Sequence, residues 1–146
     1  MAGDAVREEL LLLAKKLRER GEHVEKLAVD PVPEVTRHEL DSLLKENKVV
    51  FLFFTADWCG PCISFLETFR DVAVEISRPG VFFGRVDVDR SYSIAERYNV
   101  EKIPSILVFV NGKIADVIIG SIGKEALKKR LESFINKALS NDSNNP

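Results

Sequence analysis

Val49-Val50-Phe51-Leu52-Phe53-Phe54-Thr55-Ala56-Asp57-Trp58-Cys59-Gly60-Pro61-Cys62 decides the reading of this 146-residue chain. Its first six residues are continuous, apolar and rich in branched and aromatic side chains, the pattern of a central strand covered on both faces. Beyond it the period changes. Phe65, Leu66, Phe69, Val72, Ala73 and Ile76 recur at helical spacing, which predicts a helix from near Cys59 to about Ser77, stopped by Pro79-Gly80. The two cysteines therefore sit where a buried strand hands over to a helix.

Working outward, Val81 to Val88 reads as the next strand, and Tyr92 to Tyr98 as a short helix. Ser105 to Val110 and Lys113 to Ile119 flank Asn111-Gly112, the strongest short hairpin signal. A last helix is predicted from about Lys124 to Leu139, with Leu127, Leu131, Phe134 and Ile135 toward the core. Upstream, Glu34 and Val35 suit the end of a short strand. Thr36-Arg37-His38-Glu39 matches a capping box, and Leu40, Leu43 and Leu44 supply the buried face of its helix. The order β-α-β-α-β-α-β-β-α implies an α/β fold: a central mixed sheet with parallel early strands, an antiparallel terminal hairpin and helices on both faces.

Residues 1–29 differ from the rest. Val6, Leu10, Leu13, Ala14 and Leu17 make one helical apolar stripe, Lys15, Lys16, Arg18, Glu19 and Arg20 solvate the other side, and Gly21 is a candidate stop. Asp30-Pro31-Val32-Pro33 reads as a stiff extended connector. The expected division is a helical extension with connector over 1–29, one domain over 30–139, and a polar tail, Ser-Asn-Asp-Ser-Asn-Asn-Pro, over 140–146. The stripe reads first as a helix docked on the domain, and next as a partner or homodimer contact through residues 6–17.

Composition narrows the function. The formal net charge is -2, so the basic excess of a nucleic-acid binder is missing. No apolar run approaches the roughly 20 residues of a membrane-spanning helix. Leu10 to Leu13 is preceded by acids at Asp4, Glu8 and Glu9, unlike a secretory signal. The expectation is a cytoplasmic protein with neither nucleic-acid nor membrane partner. Its two cysteines form one Cys-x-x-Cys, which in such a setting reads as redox or metal chemistry. A zinc site wants four ligands, and neither a second cysteine pair nor suitably spaced histidines at His23 and His38 completes one. No metal is expected.

Chemistry at the pair follows from its place. The first turn of a helix has free amides and a partial positive charge. A Cys59 sulfur directed at them is stabilised as thiolate, with its pKa drawn below the free value of about 8.5, and the thiolate is the species that attacks a disulfide. Gly60 leaves an approaching substrate unobstructed. Pro61 has a preset φ and lacks an amide that would be orphaned there. Cys62, one turn on, is placed to attack the mixed disulfide and release the reduced substrate.

Trp58-Cys59-Gly60-Pro61-Cys62 resembles the signature of the thioredoxin family, and the likeness runs over about residues 32–139. Ala56-Asp57-Trp58 is similar to the family's Ala-x-Trp. Arg85-Val86-Asp87-Val88-Asp89 resembles one of its strands, with Arg85 where lysine is common. Ile103-Pro104-Ser105 resembles its cis-proline segment, and Gly120 falls where the family has a glycine near the substrate surface. The resemblance implies a thioredoxin-like three-layer sandwich and a cis Ile103–Pro104 bond. It also implies an Ile103 backbone that faces the cysteines and pairs with an extended substrate. Trp58, Gly60, Pro61, Ile103, Pro104 and Gly120 are then the motif and substrate surface around Cys59 and Cys62.

Three positions depart from the family. Phe53 stands where many members have a buried aspartate that helps move the proton of the second cysteine. Phenylalanine exchanges no proton, so resolution by Cys62 is expected to be slower, with Asp57 the candidate aid to proton transfer. Glu67 replaces a helix-kinking proline, and Ile63 a basic residue.

The function expected is a protein-disulfide reductase whose only redox group is its cysteine pair, with no cofactor. Its partners are disulfide-containing proteins and a thioredoxin reductase-like or other thiol electron donor. The alternatives are a disulfide oxidase or isomerase, separated by redox potential, and a binding module worked by the N-terminal helix.

Overall fold

The structure is a computed structural model and describes residues 7–13, 15 and 30–143. The chain divides into two units, Met1–Asp30 and Pro31–Pro146. In the first, residues 7–13 and 15 are helical. Val6, Ala14 and Leu17 of the apolar stripe, the stop at Gly21 and His23 lie outside the described residues.

In the second unit the order is α1 (Arg37–Glu46), β1 (Val49–Thr55), α2 (Gly60–Ile76), β2 (Val81–Asp87), α3 (Tyr92–Arg97), β3 (Ser105–Val110), β4 (Lys113–Ile119) and α4 (Lys124–Ser143). The capping box forms at the head of α1: the Glu39 carboxylate accepts from the Thr36 amide at 3.1 Å and from its hydroxyl at 2.7 Å. The sheet runs β2-β1-β3-β4. β1 pairs parallel with β2, Phe53 opposite Arg85, and antiparallel with β3, Phe53 opposite Ile106. After β2 the chain thus crosses to the far side of β1 before the hairpin closes the edge.

Every residue of β1 is buried. Strand alternation sends Val49, Phe51 and Phe53 to one face, where Phe65, Phe69 and Val72 of α2 and Leu127, Leu131 and Ile135 of α4 cover them. Val50, Leu52 and Phe54 go to the other, under Leu40 and Leu44 of α1 and Ile94 and Ala95 of α3. These are the expected three layers. Burying one such side chain contributes roughly 1.5–3 kcal/mol, against about 0–1 kcal/mol for an exposed ion pair, so the two apolar clusters outweigh the surface ion pairs in the domain's stability.

Two expectations change. The strand at Glu34 and Val35 shrinks to a single parallel bridge, Glu34 to Arg85. Pro31 and Pro33, both before it, offer no amide to a ladder, which limits pairing on its N-terminal side. The last helix continues past Leu139 to Ser143, so the expected polar tail begins as helix. No glycine or proline interrupts residues 140–145, and only Pro146 disfavours helix in the residue before it.

Candidate active site

β1 ends at Thr55, and the turn through Ala56, Asp57 and Trp58 delivers Cys59 to the N-cap of α2. Pro61 lies in the first turn of that helix, where its missing amide costs nothing. Cys59 and Cys62 are joined as a disulfide with Cα atoms 5.2 Å apart. The Cys62 amide donates to Cys59 Sγ at 3.3 Å, so the sulfur at position 59 takes one of the free amides of the helix start. That amide and the helix dipole both favour negative charge on Cys59.

The two cysteines differ in surroundings. Cys59 is 6% exposed and Cys62 is 0% exposed. Both belong to the apolar cluster that holds Phe53, Phe65 and Phe69. The Phe53 ring, itself 0% exposed, lies 5.5 Å from Phe65 and 5.2 Å from Phe69 between centroids. Position 53 is thus occupied by a packed ring.

Around the disulfide the surface is open. A Cβ on Gly60 would meet nothing within 4 Å. Trp58 is 71% exposed. The Ile103–Pro104 bond is cis, as the resemblance implies. Gly120, at φ +85°, donates its amide to the Pro104 carbonyl at 2.8 Å, tying the end of β4 to the proline turn. Ile103 is partly buried and packs against both apolar clusters, while Ile63 is exposed on α2.

The Asp57 carboxylate is exposed and lies 3.7 Å from Arg90 Nη2. Arg90 also reaches Glu34 at 3.2 Å and Asp87 at 3.9 Å. The turn after β2 holds the residue before Cys59 as well: Trp58 Nε1 donates to Asp89 Oδ2 at 2.8 Å. Sequence reasoning missed both Asp89 and Arg90. The acids at 87 and 89 were visible, but no local pattern says that a turn 31 residues away meets the tryptophan. Among the described residues, no group of three or more His, Cys, Asp or Glu is arranged to hold a metal ion.

A mixed sheet between two helical layers, with a Cys-x-x-Cys disulfide at a helix N-terminus above it, defines a protein built for thiol–disulfide exchange. The sequence model of the Thioredoxin family matches residues 31–133. Over 94 residues the chain is 42% identical to a thioredoxin of Mycoplasmoides gallisepticum, covering 64% of this chain and 92% of that one. Among solved structures, the oxidised thioredoxin of Plasmodium falciparum superposes with a TM-score of 0.63 at 30% identity, over 70% of this chain and 97% of that one. A mutant thioredoxin from Halobacterium salinarum gives 0.62 at 30% identity, over 73% of this chain and 93% of that one.

The chain belongs to the thioredoxin family. It is a thiol–disulfide oxidoreductase of the disulfide-reductase type, and the family is itself a known instance of a cysteine pKa lowered in this motif.

Proposed function

We propose that this protein reduces disulfides of other proteins in the cytoplasm, with Cys59 as the attacking thiolate and Cys62 as the resolving thiol. The observation that carries the assignment of roles is the 3.3 Å contact from the Cys62 amide to Cys59 Sγ at the N-cap of α2. It favours the anion on Cys59, the less buried sulfur of the two. Trp58, Gly60, Pro61, Ile103, Pro104 and Gly120 form the surface on which an extended substrate lies. The partly buried Ile103 and the open space at Gly60 support that placement.

In the first step the Cys59 thiolate attacks one sulfur of the substrate disulfide, forming a mixed disulfide and expelling the other substrate sulfur as thiolate. Cys62 then attacks Cys59 Sγ, releases the second substrate thiol and leaves the Cys59–Cys62 disulfide seen here. A thioredoxin reductase-like protein or another thiol donor returns both cysteines to thiols. The cysteine pair carries the two electrons, so the cycle needs no bound cofactor. The cytoplasmic placement is supported by cysteine use confined to the redox pair. Among the described residues, no helix is long and apolar enough to cross a membrane.

The test is reduction of a protein disulfide with excess dithiothreitol. The intact protein is expected to accelerate it strongly over dithiothreitol alone, and Cys59→Ser to abolish the acceleration. Equal rates for the two proteins would overturn the reading.

A further inference from the structure

β4 is an edge strand of the sheet, and one of its faces is apolar and open. Directly paired residues on neighbouring strands point to the same side of a sheet. Ile119, Val117 and Ile114 stand opposite Ser105, Leu107 and Phe109 of β3. They therefore share the face of the second apolar cluster, to which Leu107 and Phe109 belong. Strict alternation from Ile119 through Val117 would bring Ala115, not Ile114, to that face. The register shift at Val108/Phe109 exchanges the two, as a bulge does when it re-aims a side chain. α1 and α3 supply Leu40, Leu44, Ile94 and Ala95 to this cluster, and among the described residues β4 adds no buried member to it. Ile114, Val117 and Ile119 remain 46%, 42% and 64% exposed. With Tyr98, Val100 and Leu107 they line a groove of about 230 Å³.

The place of the groove argues for its occupant. Its Ile119 end adjoins Gly120, whose amide donates to the Pro104 carbonyl at 2.8 Å. Lys102 and Ser105, also in its lining, flank the Ile103–Pro104 turn. The groove is thus continuous with the substrate surface described above. The free edge beside it is closed to a further strand. The Asp116 carboxylate accepts the Val117 amide at 2.8 Å, and Arg130 Nη2 donates to the Val117 carbonyl at 3.5 Å, which opposes edge-to-edge pairing with a second copy. Glu101 and Lys102 at the rim are exposed and of opposite sign, so an uncharged side chain is favoured. We propose that the groove docks the substrate protein, taking a large apolar side chain of the segment that flanks the attacked cysteine, with Ile114 and Val117 as specificity-determining residues. The inference rests on the reductase reading and deepens it by naming a substrate class. Val117 lies three residues before Gly120. At about 3.3 Å per residue, an extended substrate paired at Ile103 reaches it about three to five residues from its own cysteine. The groove adds binding only; the bonds made and broken are those of the exchange itself.

The experiment uses the full chain with excess dithiothreitol and a set of synthetic peptides, each joined by a disulfide to a second short peptide. The set is uniform except for one phenylalanine, placed in turn at the third, fourth and fifth position on either side of the cysteine, with serine at the same places as control. Steady-state reduction is measured for each. At the best position, phenylalanine is expected to raise kcat/KM about tenfold over serine, the scale of one added contact in an apolar pocket. The gain should fall in KM, as binding shared by ground and transition states does. Val117→Asp and Ile114→Ser should bring that ratio toward one, and Val117→Leu, still apolar, should keep it. A ratio near one at every position in the intact protein would overturn the inference, whether or not any variant folds. So would a preference that Val117→Asp leaves in place. Sedimentation of the same samples tests the other occupant: a dimer that Val117→Asp splits, together with ratios near one, would give the groove to a second copy. Serine peptides reduced without a phenylalanine preference defeat only this inference; no acceleration of either kind over dithiothreitol alone defeats the reductase reading as well.

Discussion

Trp58 is mostly exposed, yet its indole is held by a hydrogen bond to Asp89 at 2.8 Å. The bond orients a ring beside the nucleophile without tying it into the core, so its loss should register in substrate docking and not in folding. Asp89→Ala is expected to raise KM for a protein disulfide about fivefold, from loss of about 1 kcal/mol of orientation, with Tm nearly unchanged. Paired steady-state kinetics and thermal melts check this. The motif from Trp58 to Cys62 was legible because each residue's role there is local: a cap, a first-turn proline, an open glycine. Asp89 and the Arg90 hub were not, because their meaning lies in which turn the fold brings to the site. The contact of Asp57 with Arg90 is of the same kind, since it joins the turn before Cys59 to the turn after β2.

At the scale of elements, β1, α2 and the hairpin could be read because their periods and turn residues are self-contained. Asn111 and Gly112 both take positive φ, 53° and 77°, as the two-residue turn requires. The irregularity at Val108/Phe109, where the partner shifts from Asp116 to Ile114, has no such signal. It follows from fitting β4 to β3, not from β4 alone. The neighbouring Asp116 is gripped by Arg130 of α4 at 2.8 and 2.9 Å, which lowers its pKa. A depressed carboxylate adds stability above its unfolded-state pKa and loses it as pH falls through the folded value. Asp116→Asn is therefore expected to cost at most about 1 kcal/mol near neutral pH, the scale of a partly exposed pair. The gap from the intact protein should close below about pH 4, as chemical denaturation at the two pH values would show. Gly84 on β2 should be less forgiving. A Cβ there would stand 2.7 Å from both the Phe82 ring and Val35 Cγ2. Gly84→Ala is expected to cost about 1–3 kcal/mol through this overpacking, read as a lowered midpoint of urea denaturation.

Both apolar clusters draw their buried members from Val32 to Ala138, inside the second unit. A chain of residues 31–146 is therefore expected to melt cooperatively and keep dithiothreitol-coupled disulfide reduction, measurable by circular dichroism and turnover. Loss of either would make Met1–Asp30 part of the folding or catalytic unit. The layered α/β order was legible at this scale because alternating strand and helix periods leave few arrangements of a sheet. The reduction of the first strand to one bridge and the extension of α4 were not, since both depend on what neighbouring segments offer the backbone. The whole account turns on Cys59 as the atom that meets substrate. The most direct measurement is the mass of the covalent adduct formed when reduced Cys62→Ser meets a protein disulfide, followed by peptide mapping. The account predicts a stable one-to-one adduct bonded through Cys59; no adduct at that sulfur under conditions where the intact protein reduces the same substrate would contradict it.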